Sequence, residues 1–73
     1  MYLIAYDITD GGRLRAVAKV LNRYGYRVQK SVFECDISKQ QYNKLKAKLS
    51  AIKSGNDKIK CYSLRNDTRT EDF

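Results

Sequence analysis

The opening run Met1-Tyr2-Leu3-Ile4-Ala5-Tyr6-Asp7-Ile8-Thr9-Asp10 constrains this chain more than any other stretch. It begins as an apolar segment suited to a buried strand, then sets one carboxylate, Asp7, among residues that belong inside. Side chains alternate along a strand, so Leu3, Ala5 and Asp7 share one face and Tyr2, Ile4, Tyr6 and Ile8 the other. An ionised carboxylate withdrawn from water is costly unless it meets a cation or hydrogen-bond donors. Asp7 therefore sits solvated or backbone-held at the strand's open end, or a positive group comes to it. These residues alone leave both readings open.

The remaining elements follow from periodicity. Thr9-Asp10-Gly11-Gly12 reads as a turn in which Asp10 caps a helix. Leu14, Val17, Ala18, Leu21 and Tyr24 recur at helical spacing over Arg13–Tyr24, with Arg13, Arg15, Lys19 and Arg23 on the opposite face. Gly25 is expected to end this helix in the left-handed conformation. Tyr26–Ile37 is rich in β-formers but long for one strand, which predicts two short strands with a bend near Gln29-Lys30-Ser31. Ser38 and Gln41 have the capping-box spacing for a second helix to about Lys53. Its buried stripe is Tyr42, Leu45, Leu49 and Ile52, with Lys39, Lys46 and Lys53 grouped on the exposed side. After a turn at Ser54-Gly55-Asn56-Asp57, Lys58–Leu64 alternates as a last strand. Arg65–Phe73 reads as a frayed polar segment in which Phe73 alone is able to dock. The expected organisation is one domain over 1–66 and a polar tail over 67–73.

This order, β-α-β-β-α-β, is the ferredoxin-like α+β sandwich: an antiparallel sheet with two helices on one face. The other face has no cover within the chain, yet strand one is apolar on both sides. A second copy related by a two-fold axis is the simplest cover, so the chain is expected to be a homodimer through that face. Two Asp7 carboxylates then approach each other and repel unless a proton or cation lies between them. Magnesium, which takes one or two carboxylates and keeps its other positions for water and phosphate oxygens, suits that place.

Charge and composition narrow the chemistry. The net charge is +7, and residues 1–66 hold 14 Lys and Arg against 5 Asp and Glu, so a polyanion such as nucleic acid is the expected partner. There is no histidine, which excludes Ser-His-Asp and Cys-His nucleophile systems. The two cysteines, Cys35 and Cys61, are too few for a structural zinc site in one chain. Both lie in apolar strands without a signal peptide, as expected of buried reduced thiols in a cytoplasmic protein. No apolar run approaches the roughly 20 residues that cross a bilayer, so no membrane partner is expected.

Several segments resemble the CRISPR-associated Cas-Two family, the small dimeric partner of the CRISPR integrase. They are Tyr6-Asp7-Ile8, then Arg13 and Arg15, then Tyr24-Gly25-Tyr26-Arg27-Val28-Gln29, Lys30-Ser31-Val32-Phe33-Glu34-Cys35 and Ile59-Lys60-Cys61-Tyr62-Ser63-Leu64. The match runs from residue 1 to about 64. The resemblance implies a ferredoxin-like homodimer acting with integrase dimers in spacer acquisition. It also implies a Mg2+-dependent endonuclease, on single-stranded RNA or double-stranded DNA, with endoribonuclease activity the first expectation. Asp7 falls on the family's magnesium-binding, catalytic aspartate. Tyr6 is the catalytic neighbour, and Arg13, Arg15, Arg27 and Phe33 fall on positions linked with nucleic acid. The family usually continues into a further strand that pairs with the partner subunit, whereas Arg65–Phe73 is a poor strand by composition.

Two other functions remain open on the residues. A non-catalytic DNA-binding scaffold needs only charge and shape, with Asp7 structural. A toxin-type ribonuclease of the same fold would share the topology.

Overall fold

The computed structural model describes residues 1–64 and 68–73. Its elements are β1 (Tyr2–Asp7), α1 (Gly11–Leu21), β2 (Tyr26–Gln29), β3 (Val32–Cys35), α2 (Lys39–Ile52), β4 (Lys58–Leu64) and β5 (Thr68–Asp72). The strands form one antiparallel sheet in the order β2-β3-β1-β4-β5, with β1 central. The expected ferredoxin-like β-α-β-β-α-β order stands, with a fifth strand added.

Both helices start where the sequence places their caps. Asp10 accepts the Arg13 backbone N–H at 2.9 Å. Ser38 and Gln41 close a full capping box, each side chain accepting the other's backbone N–H at 3.1 and 3.0 Å. α1 begins two residues before Arg13 because both glycines join its first turn. The bend expected near 29–31 is real: β2 and β3 pair as a hairpin whose register slips between Arg27 and Gln29.

The core is one cluster between the sheet and the helices. Tyr2, Ile4, Tyr6 and Ile8 from the β1 segment meet Val17 and Leu21 of α1, Leu45 and Leu49 of α2, Phe33 and Cys35 of β3, and Ile59 and Cys61 of β4. Complete burial of each large aliphatic side chain contributes about 1.5–3 kcal/mol. The Tyr2 and Tyr42 rings stack at 4.3 Å and 7°. Both cysteines are free and buried, as expected, and burial pushes the Cys35 thiol up to about 11. Among the described residues no helix is long and apolar enough to cross a membrane.

Two expectations are corrected. The polar tail over 67–73 is largely a strand: β5 pairs with β4 from Leu64↔Thr68 to Lys60↔Asp72. The cut at 66/67 lies outside the described residues. The open edge of β4 supplies unpaired backbone groups, and these order a segment whose composition is poor for a strand. Side chains then anchor it. Glu71 accepts the Tyr42 hydroxyl and pairs with Lys46. The Phe73 N–H donates to the Ile59 carbonyl at 2.9 Å, and its ring packs against the core. Lys46, placed by periodicity on the exposed side with Lys39 and Lys53, is thus taken up by β5.

The second correction is Gly25. Among the described residues only Gly55 has a positive φ, at 60°. Gly25 is needed for space: a Cβ there would lie 2.1 Å from the Glu34 carbonyl oxygen and 2.9 Å from Cys35 Cα. The chain leaving α1 runs against the β3 backbone, and neither can yield. Gly25→Ala is expected to destabilise by about 1–3 kcal/mol or more. Gly12→Ala, whose methyl meets only the Asp10 carboxylate at 3.3 Å, is expected to change stability far less. Urea denaturation of the two variants beside wild type measures the difference.

Candidate functional site

Strand alternation distributes the candidate residues over two faces of the molecule. β1 buries Tyr2, Ile4 and Tyr6 beneath the helices and turns Leu3, Ala5 and Asp7 to the helix-free face. Asp7 ends the strand and is exposed. Its cross-strand partner is Lys58, so the two side chains lie side by side on that face. The remainder of the face is apolar at its centre. Leu3, Ala5, Val32 and Tyr62 are half-buried without any cover in the chain, with Tyr62 and Glu34 opposite Leu3, and Val32 and Lys60 opposite Ala5. Tyr26 stands at its margin and donates to Glu34 at 2.7 Å; that carboxylate holds the phenol's pKa up.

Tyr6 does not join Asp7. Neighbouring strand residues point to opposite faces, and Tyr6 is buried on the helix side with its ring 6.3 Å from that of Phe33. Phe33 is fully buried, so its ring is not open to a base in this arrangement. It instead supports Arg27, whose guanidinium lies 5.2 Å above it on the edge strand. Burial thus takes the rings of both residues away from the surface, Phe33 beneath Arg27 and Tyr6 on the face opposite Asp7. Arg27 and Arg15 remain exposed.

Arg13 is exposed only in part, because it is already paired. Its Nε donates to Asp57 Oδ2 at 2.7 Å and its Nη2 to Asp57 Oδ1 at 3.3 Å. Nη1 also lies 3.9 Å from Asp10. Asp57 is buried, and it further accepts the Ser54 backbone N–H at 3.1 Å. The guanidinium holds the Asp57 carboxyl below its ordinary range, and the carboxylate raises Arg13 in turn. A bidentate pair of this kind fixes the first turn of α1 to the turn before β4, one residue from Lys58. The clasp thus engages Nε and Nη2 of Arg13 and leaves the Nη1 donors as those open to a phosphate. Two residues of this end of the sheet, Asp57 and Lys58, escape sequence reasoning. The turn motif accounts for Asp57 without a partner, and Lys58 meets Asp7 only through the β1–β4 register.

The donor set bears on metal binding. Among the described residues no three His, Cys, Asp or Glu side chains gather as a metal site. A single Asp7 with water and phosphate oxygens lies within magnesium's habits, and two copies of Asp7 suit it better. The residues thus fit magnesium when two chains contribute, and fit it poorly in one chain beside Lys58.

Comparison with known proteins adds an independent line. A family model described as CRISPR associated protein Cas2 matches residues 1–72. The chain is 44% identical over 72 residues to the CRISPR-associated endoribonuclease Cas2 3 of a Synechocystis species, covering 97% of this chain and 78% of that protein. It is 43% identical over 77 residues to the CRISPR-associated endonuclease Cas2 of Halalkalibacterium halodurans, covering 97% and 80%. The crystal structure of Streptococcus pyogenes Cas2 matches with a TM-score of 0.80 at 36% identity, over 90% of this chain and 87% of that one.

The Arg13–Asp57 clasp has a pH signature. Asp57 has its folded-state pKa lowered, so its contribution to stability is present above the ordinary value of 3.8 and is lost as pH falls through the lower folded value. Asp57→Asn is expected to melt below wild type at neutral pH, with the gap closing as pH drops under 3.8. Thermal melts followed by circular dichroism across this range test it.

Proposed function

The chain belongs to the CRISPR-associated Cas2 family, and on that footing we propose that two copies form a phosphodiester endonuclease, with RNA the first substrate, that serves CRISPR spacer acquisition beside the integrase. One observation carries this reading: Asp7 is presented, exposed, on the helix-free face, at the border of an apolar patch that the chain itself leaves uncovered. Pairing through Leu3, Ala5, Val32 and Tyr62 buries that patch and brings the two Asp7 groups toward the same two-fold axis. The names of the relatives, endoribonuclease and endonuclease, support the reaction class.

In this arrangement Asp7 from each copy would hold the metal. Magnesium, when bound, supplies polarisation of the phosphoryl group and a water of lowered pKa. Lys58, beside Asp7 in register, limits carboxylate repulsion and offers a cation to a phosphate oxygen. Arg15 and Arg27 act farther out, on the helix side, as backbone-positioning cations. Arg13 acts through Asp57 by fixing the loops on either side of Asp7. Tyr6, buried on the other face, adds no acid or base beside Asp7, whose cross-strand neighbour is the cation Lys58.

That sparse set favours a second reading, a scaffold that holds DNA for the integrase without cleaving it. Asp7→Ala separates the two. Under the nuclease reading it lowers magnesium-dependent cleavage of a defined RNA at least about 100-fold, the scale of losing a positioned catalytic group. Cleavage that survives both the substitution and a chelator overturns the assignment. The pairing has its own test: Leu3→Lys places a charge in the apolar patch and is expected to convert a dimer to monomer in sedimentation equilibrium.

A further inference from the structure

We infer that Lys58 is the resident counter-ion of Asp7: its ammonium holds the carboxylate while no metal is bound, and a divalent cation has to displace it to bind. The inference rests on the reading of Asp7 as the metal-holding group of a paired assembly. It deepens that reading by naming the group with which the metal competes.

The register makes Lys58 the cation opposite Asp7. The two residues share a rung of the β1–β4 ladder, where Cβ atoms on one face stand about 4.5–5.5 Å apart. Both side chains are exposed. Other basic groups near this end are engaged or offset. Arg13 is clasped to the buried Asp57. Lys60, on the same face, stands opposite Ala5 and lies 3.8 Å from Asp72. Lys30 belongs to the turn joining β2 to β3, outside the paired ladder. Lys58 itself forms none of the ion pairs found among the described residues. Its backbone is nonetheless fixed. Asp57 before it is held by Arg13 and accepts the Ser54 N–H at 3.1 Å, and the chain then enters the ladder. The flexible four-carbon stem of Lys58 therefore swings from a fixed origin.

Charge decides what the exchange does. Pairing through the helix-free face brings the Asp7 and Lys58 of both copies toward one two-fold axis. Carboxylates and ammoniums then balance, so the chains pair without an ion between them. A divalent cation that takes both carboxylates releases both ammoniums. The loaded site is then net positive where the unloaded one is neutral, and it attracts a phosphodiester far more strongly. An exposed lysine–carboxylate pair is weak, because the ammonium is strongly hydrated and its stem loses freedom on pairing. The exchange is therefore reversible, and Lys58 sets how much metal the site requires.

The test is titration of the full chain with Mn2+, a paramagnetic stand-in for magnesium, with free metal followed by electron paramagnetic resonance. Lys58→Gln is expected to tighten binding about 5-fold or more, the scale of freeing the carboxylates from weak exposed ion pairs. Lys58→Arg is expected to keep the wild-type affinity. The gain is expected to vanish when Asp7→Asn is added. Lys30→Gln and Lys60→Gln remove the same charge away from the Asp7 rung and are expected to gain far less. In chelator, sedimentation equilibrium is expected to show wild type paired and Lys58→Gln paired more weakly, with Mn2+ restoring the variant. Unchanged or weaker Mn2+ binding in Lys58→Gln overturns the proposal. An equal gain in Lys60→Gln, a gain that survives Asp7→Asn, or wild-type pairing that requires metal overturns it as well. The two readings fail separately. If wild type and every variant bind no Mn2+ through Asp7, the metal reading falls and this proposal falls with it. Asp7-dependent binding that Lys58→Gln leaves unchanged removes this proposal alone.

Discussion

The molecule depends on the burial of one face of β1. Tyr2, Ile4, Tyr6 and Ile8 supply the floor on which both helices rest. Because a strand's side chains alternate, burying that set obliges Leu3, Ala5 and Asp7 to face away. A register slip of one residue would turn Asp7 toward the helices and expose Tyr6. The same slip would move the whole apolar set of β1 off the core, so the hydrophobic pattern, reinforced by the cost of burying a charge, fixes the register. The position of the candidate catalytic group is thus a by-product of core packing.

Electrostatics then divides the surface. The carboxylates of this basic chain are gathered at particular joints. Asp57 clasps Arg13 and ties α1 to the start of β4; Glu71 ties β5 to α2 through Tyr42 and Lys46. Both carboxylates have their pKa values lowered by the cations they hold, so each joint is firm at neutral pH and loosens in acid. Removing those acids from general circulation leaves the exposed helix cations outside the ion pairs found among the described residues. Local pairing at the joints and long-range attraction of a polyanion are therefore two consequences of one charge distribution.

Much of the architecture was legible in the residues. Asp10, Ser38 and Gln41 mark helix starts through capping chemistry that acts over three residues, and local chemistry is readable locally. The buried stripes of both helices and the alternation of β4 follow from periodicity alone. Other features were not legible, because they depend on what a segment meets. Thr68–Asp72 becomes a strand because β4 offers an edge, and Gly25 is required because β3 passes within a methyl group's reach. Tyr6 falls on a motif position next to Asp7 in sequence and Phe33 on one six residues after Arg27, yet burial withdraws both rings from the surface. Adjacency along a strand separates side chains, whereas adjacency across strands joins them, as it does for Asp7 and Lys58.

By itself the sequence determined the order of the elements from β1 to β4, the identity of the core, the cationic balance and the isolated carboxylate at the end of the first strand. Those properties are set by spacing and composition, which are carried by neighbouring residues. Only the tertiary structure decided which cations are spent and which are free, and that Asp7 and the helical cations occupy opposite sides of one sheet. The physical reason is range: pairing partners such as Arg13 and Asp57, 44 residues apart, find each other through the fold.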